Sequence, residues 1–525
     1  MLATLLQTVD PNAPIDTPEV AWRALAPFLI LVGGASLLLV AGALTRRKPL
    51  PGTYSLFTVV TAGAAIGAAV PLWREVQDAD RGPFHAVASA ITVDGFSVFV
   101  TFVICVSVIL AALLADGYLR RERMEGPELY VLTLLSASGG VVMASANDLI
   151  VLFLGLEILS IAVYVLAAMH VRRAQSQEAA MKYFVLGAFS SAFFLYGIAL
   201  VYGATGSTNL STILGGSRVT LTSGGDVVAS LTANKPTALL LAGFALLLVG
   251  FGFKIAAVPF HSWTPDVYQG APSPTVVYMA SGVKAAGFAG LLRVFVKAFE
   301  AYSGDWQPYI YALAVATLLV GAILAVVQTD VKRMLAYSSI SHAGFILVGV
   351  QAASDRGVAG ALFYLAAYTF MVAGSFGVVT LVGRRGDSHH ALDDYRGLAQ
   401  RSPLLALAFT VFLLAQAGVP LTAGFFAKFY VLSAAVDSRS FVLAVVAMVS
   451  AVIAAFLYLR ILVAMYMTPA GHDAPPVPAG RVPVPFAAGL ALTVCVAFTV
   501  VVGFLPSPID DASRDAVPVI AAPDK

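Results

Sequence analysis

Four ionisable residues, Glu157, Lys254, Lys284 and Lys428, lie inside stretches of the chain that are otherwise apolar. Glu157, for example, stands in the middle of LFLGLEILSIAVY. A charge at the centre of a bilayer costs roughly 2.5 to 3.5 kcal/mol, so residues of this kind mark ion or proton pathways. Burial favours the neutral form of a lysine and a nearby carboxylate favours its charged form, so moving the carboxylate makes the lysine bind or release a proton. We therefore predict that these four residues transfer protons.

Two further side chains are candidates for the same path: Lys182, in MKYF, and His342, in AYSSISHAGF. An imidazole titrates near neutrality, so His342 could link two lysines, although a histidine that only hydrogen-bonds within helix packing is an equal alternative. Either Lys254 or Lys182 could be the partner of Glu157. Two other basic residues in apolar runs are expected to form structural ion pairs or to reach an interface, namely Arg293 and Arg460.

The segments that position these residues are membrane spans. Of the 525 residues, 59% are hydrophobic and 11% are charged, whereas soluble domains have about 25% charged residues. About 20 apolar residues cross a bilayer as a helix. We therefore predict an all-α polytopic membrane protein of about fourteen transmembrane helices, with approximate bounds 22–44, 53–73, 95–115, 128–146, 148–169, 178–203, 237–258, 274–298, 308–328, 331–351, 358–382, 403–435, 440–467 and 484–505.

Basic residues concentrate in the loops that follow odd-numbered spans. Arginines and lysines prefer the cytoplasmic side of a membrane, so both termini are predicted to face outward. The segment before the first span lacks the basic and apolar regions of a cleaved signal peptide. The residues that carry the orientation include Arg46, Arg47, Lys48, Arg120, Arg121, Arg123, Arg172, Arg173, Lys332, Arg333, Arg384, Arg385, Arg396, Arg401 and Arg481.

The seventh and twelfth spans combine a lysine with helix-breaking residues. They read ALLLVGFGFKIAAVPFHSW and AQAGVPLTAGFFAKFY. We predict that both helices are discontinuous, although a simple proline kink is the alternative. The two spans are five helices apart, which indicates two inverted five-helix repeats. The expected division of the single membrane domain 1–525 is N-terminal helices at 22–115, repeats at 128–298 and 308–467, and a last helix at 484–505.

Several other classes of function are excluded by the sequence. A net charge of +2 offers no basic face for nucleic acid. Cys105 and Cys495 stand alone, without the CxxC spacing of a zinc or iron–sulfur site. Neither a GxGxxG turn nor a P-loop is present, so we expect no cofactor and no metal in this chain.

The stretch PFHSWTPDVYQGAPSPTVVYMASGVKAAGFAGLLRV, which begins at Pro259, closely resembles the signature of the proton-translocating, antiporter-like subunits of NADH-quinone oxidoreductase, or complex I. The segments VDGFSVF, MKYFVLGAFSSAFFLYG, DVKRMLAYSSISHAGF and GVPLTAGFFAKFYV follow the order of that family. The form PDVY and the lysine at position 428 follow the pattern of the N-type members. The tail after the last span leaves no room for the lateral helix of the L-type members.

The resemblance implies a role for each buried charge. Glu157 resembles the family's glutamate on the fifth helix, Lys254 its partner lysine, Lys284 the central relay and Lys428 the lysine on the exit side. Lys182 and His342 resemble further residues of the polar axis, at positions where members of the family vary more. These roles imply proton entry from the cytoplasmic side.

The resemblance also implies the surroundings of the chain. Electrons would pass from NADH through FMN and iron–sulfur clusters to a quinone in other subunits. The expected partners are the membrane-arm subunits M, K and J and the lipid bilayer of a bacterial cell membrane. The alternatives are a subunit of a sodium/proton antiporter, a subunit of a membrane-bound hydrogenase-type complex, and a purely structural role for the charges.

Overall fold

The computed structural model describes residues 20–44, 50–216, 218–223, 226–232, 237–467 and 481–518. Within these ranges, 13 helices are long and apolar enough to cross a membrane. They coincide with 13 of the predicted spans, and the twelfth predicted span is present as two shorter helices. The prediction of an all-α, multi-pass membrane protein is therefore confirmed.

The N-terminal half contains nine helices and two short antiparallel hairpins. Aspartates begin two of the helices, because Asp94 accepts from the backbone N–H of Ser97 and Asp148 from that of Ile150. The elements are α1 (Trp22–Leu44), α2 (Thr53–Gln77), β1 (Phe84–Ala86), β2 (Ile91–Val93), α3 (Gly95–Glu122), α4 (Glu128–Ser145), α5 (Leu149–Ala168), α6 (Ala174–Thr205), α7 (Leu210–Gly216), β3 (Arg218–Ser223), β4 (Asp226–Thr232), α8 (Ala238–Ile255) and α9 (Trp263–Gly270).

The C-terminal half begins with a span that is partly π-helical. In this span, π-helical segments at Met279–Val283 and Leu292–Ala298 flank the α-helix that starts at Lys284. The elements are α10 (Ser273–Tyr278), α11 (Lys284–Leu291), α12 (Ser303–Val326), α13 (Val331–Gln351), α14 (Asp355–Val382), α15 (Leu398–Arg401), α16 (Pro403–Ala417), α17 (Ala423–Asp437), α18 (Phe441–Tyr466), α19 (Phe486–Phe504) and α20 (Ser507–Asp515), with 3₁₀ turns at Glu300–Tyr302 and Leu392–Tyr395.

Burial ranks the spans from the centre of the bundle to its edge. In an 18-residue apolar window of each helix, 100% of the residues are buried for the span Ser273–Ala298 and 94% for α13, but only 22% for α1. The outer helices present large apolar side chains to their surroundings, as a bilayer requires. The span that carries Lys284 therefore forms the axis around which the other helices pack.

Both predicted helix interruptions are confirmed. Helix α8 ends at Ile255, and Ala256 adopts a left-handed conformation with φ of 62° before the chain reaches α9. Helix α16 ends at Ala417, and Gly418 has φ of 92° before α17 begins at Ala423. Glycine adopts this conformation without steric cost, which explains why a glycine stands at the second interruption.

Two features of the fold differ from the prediction. Helix α3 continues beyond the predicted end at 115 to Glu122, because arginine and glutamate favour the helix and Arg120 pairs with Asp116 one turn away. The connection at 204–236, between the sixth and seventh predicted spans, contains the short helix α7 and the strands β3 and β4. Valine, leucine and threonine dominate these strands, and valine and threonine favour extended backbone.

Candidate functional site

Lys254 lies buried on the last turn of α8, immediately before the first interruption. Its Nζ donates to Ser160 Oγ of α5 at 2.8 Å. The interruption is held by Trp263, whose indole N–H donates to the carbonyl of Phe253 at 3.1 Å. The indole also stacks on Tyr183, with the ring centroids 4.4 Å apart. The helix interruption therefore fixes the position of Lys254 along the axis of the helix bundle.

Glu157 lies one turn from Ser160 on the same helix and is half-buried. Its Oε1 accepts from Ser191 Oγ of α6 at 2.5 Å. Within the described ranges no ion pair joins Glu157 to Lys254; Ser160 and Ser191 bind the two charges instead. A cavity of about 10 Å³ lies between α5, α6 and α8 beside Lys254 and both serines, which is about the space of one water molecule.

Lys284 lies on the central span and is buried. Its Nζ donates to the carbonyl of Ser339 at 2.7 Å and to Ser339 Oγ at 2.5 Å, both on α13. The ring of Tyr368, on α14, lies with its centroid 5.7 Å from this Nζ. Neutral oxygens of one serine thus bind the amine.

Lys428 lies on α17 and reaches back into the second interruption. Its Nζ donates to the carbonyls of Gln416 and Ala417, at 2.8 Å each. These carbonyls belong to the last turn of α16, where the helix leaves them without an amide partner. The ring centroid of Phe345 is 4.9 Å from the same Nζ. The broken helix therefore supplies the ligands of this lysine.

His342 lies buried on α13, between two tyrosines. Its Nδ1 is 2.6 Å from the hydroxyl of Tyr364 and its Nε2 is 3.2 Å from that of Tyr458. The Tyr458 hydroxyl is 2.6 Å from Ser338 Oγ, which donates to the side chain of Gln416 at 3.2 Å.

These contacts make a continuous chain of hydrogen bonds in the C-terminal half. It runs from His342 through Tyr458 and Ser338 to Gln416, whose backbone carbonyl binds Lys428. Ser339, which binds Lys284, follows Ser338 in the sequence, so the chain passes next to the ligand of the central lysine. The chain therefore consists of an imidazole, two hydroxyls and an amide side chain.

Lys182 is not part of this buried group. Its side chain is 42% exposed near the start of α6 and pairs with Glu178 and Asp266 at 2.7 Å each. Lys182 and Arg333 together hold the pKa of Asp266 below its ordinary value, against the opposing effect of burial. The structure therefore places Lys254, rather than Lys182, near Glu157.

The two arginines expected to be structural make structural contacts. Arg293 is fully buried, pairs with Asp94 at 2.8 Å and donates to the carbonyl of Ala144 at 3.0 Å. Arg460 is half-buried and donates to the carbonyls of Val326, the last residue of α12, and Gln328, which follows it. Neither side chain contacts the lysines described above.

A buried charge cluster at one end of the bundle was missed by the sequence prediction. Asp387 is fully buried in the loop after α14 and pairs with Lys332 at 2.9 Å, His390 at 3.0 Å and Arg173 at 3.3 Å. Burial acts to raise the pKa of Asp387, but Lys332, His390 and Arg173 outweigh it and hold that pKa well below its usual range. Arg173 and Lys332 had been assigned only to cytoplasmic loops, and Asp387 and His390 had not been singled out.

No group of three or more His, Cys, Asp or Glu side chains in the described part of the chain is arranged to hold a metal ion. The arrangement presents amines, hydroxyls, an imidazole and a carboxylate, which are proton donors and acceptors. The fold and these groups define a multi-pass membrane protein with lysines at interrupted helices.

Comparisons with known proteins identify the family. The model of the family described as "NADH:quinone oxidoreductase/Mrp antiporter, TM" matches residues 146–454, and the chain belongs to this family. Among its relatives, "NADH-quinone oxidoreductase subunit N" of Trichlorobacter lovleyi is 41% identical over 519 residues, covering 99% of each chain. The protein of the same name from Mycobacterium tuberculosis is 38% identical, covering 96% of this chain and 99% of that one.

Solved structures agree with this assignment. A chain of respiratory complex I from Thermus thermophilus with bound aureothin has a TM-score of 0.75 at 32% identity and covers 93% of this chain and 99% of that one. A chain of the Mrp complex from Dietzia sp. has a TM-score of 0.81 at 20% identity, covering 95% and 97% of the two chains. The second likeness shows the fold alone.

Proposed function

We propose that this chain is the proton-translocating, N-type membrane-arm subunit of an NADH-quinone oxidoreductase. The observation that carries the proposal is the set of three buried lysines, two of them at helix interruptions, in a chain that resembles proteins named subunit N over nearly its whole length. In this scheme NADH, FMN, iron–sulfur clusters and quinone react in other subunits. Subunits M, K and J are the proposed neighbours in a bacterial cell membrane.

The proton path follows the contacts described above. A proton enters from the cytoplasmic side at Lys254, which Glu157 influences through Ser160, Ser191 and the small cavity between them. It continues to Lys284, and then leaves outward by way of His342 and Lys428. The repeats at 128–298 and 308–467 would each hold one interrupted helix and the lysine beside its interruption, Lys254 in the first repeat and Lys428 in the second.

Each of the three lysines is bound by neutral oxygens and forms no ion pair with a residue that the structure describes. Placing a positive charge in such a site is costly, because the few neutral oxygens around the amine replace only part of its hydration in water. An approaching carboxylate lowers that cost and its departure restores it. Movement of Glu157, or of a charge on a neighbouring subunit, is therefore sufficient to load and unload Lys254.

The test uses substitutions that remove charge and preserve volume. Lys254→Met and Glu157→Gln are expected to lower NADH-driven proton uptake by inverted membrane vesicles, because the path through this chain is blocked. Lys297→Met is the matched control, because Lys297 lies at the end of the central span and pairs with the exposed Asp355. Native gels of the complex check assembly. Normal pumping in both test variants, with assembly intact, would contradict the proposed path.

A second experiment separates the proposal from a sodium/proton antiporter. The tagged chain is purified from mild-detergent membranes, and the eluate is assayed for NADH-dependent quinone reduction that complex I inhibitors block. Activity together with flavin and iron–sulfur subunits is expected. An eluate that contains antiporter subunits and lacks this activity would instead support sodium/proton exchange.

A further inference from the structure

A cavity of about 430 Å³ lies between the ends of α3, α14 and α19, outside the proton path. Five arginines line it: Arg121, Arg384, Arg385, Arg401 and Arg481. They come from three separate parts of the chain that the positive-inside rule places on the cytoplasmic side. The volume lies within the range of small-molecule sites.

Most of this positive charge has no counterion in the described part of the chain. Arg121 pairs with Glu122 at 2.9 Å, whereas Arg384, Arg385 and Arg481 form no ion pair with a described residue. Arg401 donates only to backbone carbonyls. Asp394 is the acidic residue among those that line the cavity. The site therefore carries excess positive charge.

Two arginine N–H groups at this cavity lack a hydrogen-bond acceptor. Arg121 Nη2 and Arg401 Nε are both buried and have no partner. Burial, together with the charge of Arg384, lowers the pKa of Arg401 from its ordinary value. Guanidinium groups bind phosphate oxygens through paired N–H donors, so an anion with several oxygens would satisfy these groups.

Much of the rest of the cavity wall is apolar. Leu114 and Gly117 come from α3, Leu381 from α14 and Ala488 from α19. These residues lie on the membrane-spanning part of each helix, next to the arginines at the helix ends. A ligand that fits both parts has an anionic head and an apolar chain. Basic pockets between transmembrane helices on the cytoplasmic side have this property.

We propose that this cavity binds the phosphate headgroup of an anionic phospholipid, with the first acyl carbons against Leu114, Leu381 and Ala488. The headgroup joins the arginines of three chain segments and neutralises their repulsion. The lipid thereby links the α14–α15 loop to α3 and to the start of α19. The proposal is independent of the proton path.

Binding is tested on the purified full-length chain in mild detergent by native mass spectrometry, which counts lipids per chain. The probes are phosphatidylglycerol, phosphatidylcholine and inorganic phosphate. Phosphatidylglycerol is expected to bind at one saturable site. The variant Arg384→Gln/Arg385→Gln removes two side chains that form no ion pair and no side-chain hydrogen bond with described residues. It should weaken binding about thirtyfold, or about fivefold for each arginine.

The matched control is Arg356→Gln/Arg439→Gln, which removes two exposed arginines at the opposite end of the bundle. This variant should bind phosphatidylglycerol as the unaltered chain does. Equal binding of phosphatidylcholine, or equal affinity in test and control variants, would overturn the proposal. Competition by inorganic phosphate at similar concentration would reassign the site to free phosphate. Lipid bound by the isolated chain but absent from the assembled complex would assign the cavity to an acidic segment of a neighbouring subunit.

Discussion

Replacing Asp387 with asparagine removes a buried anion from a cluster of basic groups. Lys332 has no exposed surface and lies 2.9 Å from the Asp387 carboxylate. Asparagine can still accept the hydrogen bond from Ser273, now 2.9 Å from Asp387 Oδ1, but it cannot neutralise the ammonium. Removing one partner of a buried ion pair costs about 3 to 5 kcal/mol. Lys332 keeps a hydrogen bond to the Ala271 carbonyl at 2.9 Å, so we expect about 3 kcal/mol.

The assay is reversible unfolding of the full-length chain in mixed detergent micelles, followed by circular dichroism. Asp393→Asn is the control, because Asp393 and Arg396 form an exposed pair of the kind that contributes about 0 to 1 kcal/mol. The double variant Asp387→Asn/Lys332→Met leaves no unpaired lysine and should recover most of the loss. Equal losses in Asp387→Asn and Asp393→Asn, or additive losses in the double variant, would refute this reasoning.

Three further predictions concern the same groups. Gly418→Ala should lower the number of protons pumped per NADH, because the new Cβ would meet Lys428 Cδ at 3.0 Å. Gly386→Ala is the control: it introduces alanine at a similar positive φ, but its Cβ has open space around it, so pumping should be unchanged. Tyr458→Phe should reduce proton uptake several-fold in vesicles while the complex still assembles, because the hydrogen-bond chain to Gln416 loses its hydroxyl; unchanged uptake would exclude this chain from the path. The pKa of Asp387 is lowered in the folded chain, so its stabilising effect is present above the ordinary value of 3.8 and is lost only as the pH falls through the lower folded value. Unfolding of Asp387→Asn should therefore depend less on acid than unfolding of the unaltered chain, and parallel acid profiles would contradict this.

The spans and their interruptions could be predicted because each has a local signal. An apolar run of about 20 residues is visible in any window of the sequence. Glycine and proline beside Lys254 and Lys428 likewise mark the two interruptions within a few residues. The burial of these lysines follows from the same runs.

The contacts between the site residues could not be predicted from a local sequence signal, because they join residues of different helices. The serines that separate Glu157 from Lys254 belong to α5 and α6, so direct pairing of the two charges was an equally reasonable expectation. Lys182 stands at the start of an apolar run, but it lies on an exposed face of α6, beside Asp266. The roles of all these residues in proton transfer stay predictions.

The Asp387 cluster was missed for a similar reason. Its members are distant in sequence, and loop residues such as Asp387 and His390 show no periodicity. Asp387 also has φ of 48°, a conformation that aspartate adopts more often than most residues. Sequence alone does not distinguish these charges from the other charges near helix ends, and only the packing of α13, the start of α6 and the loop after α14 brings them together.

The π-helical segments on both sides of Lys284 allow this residue to rotate within the central span. A π turn contains one more residue than an α turn, and each residue of an α-helix turns the chain by about 100°. If the extra residue of Met279–Val283 moved toward the C-terminus past Lys284, the span would keep both ends in place while the lysine rotated away from Ser339. The Lys284 amine would then face a different side of the bundle. Only backbone hydrogen bonds within this one helix would change partners, and the neighbouring helices would not need to tilt.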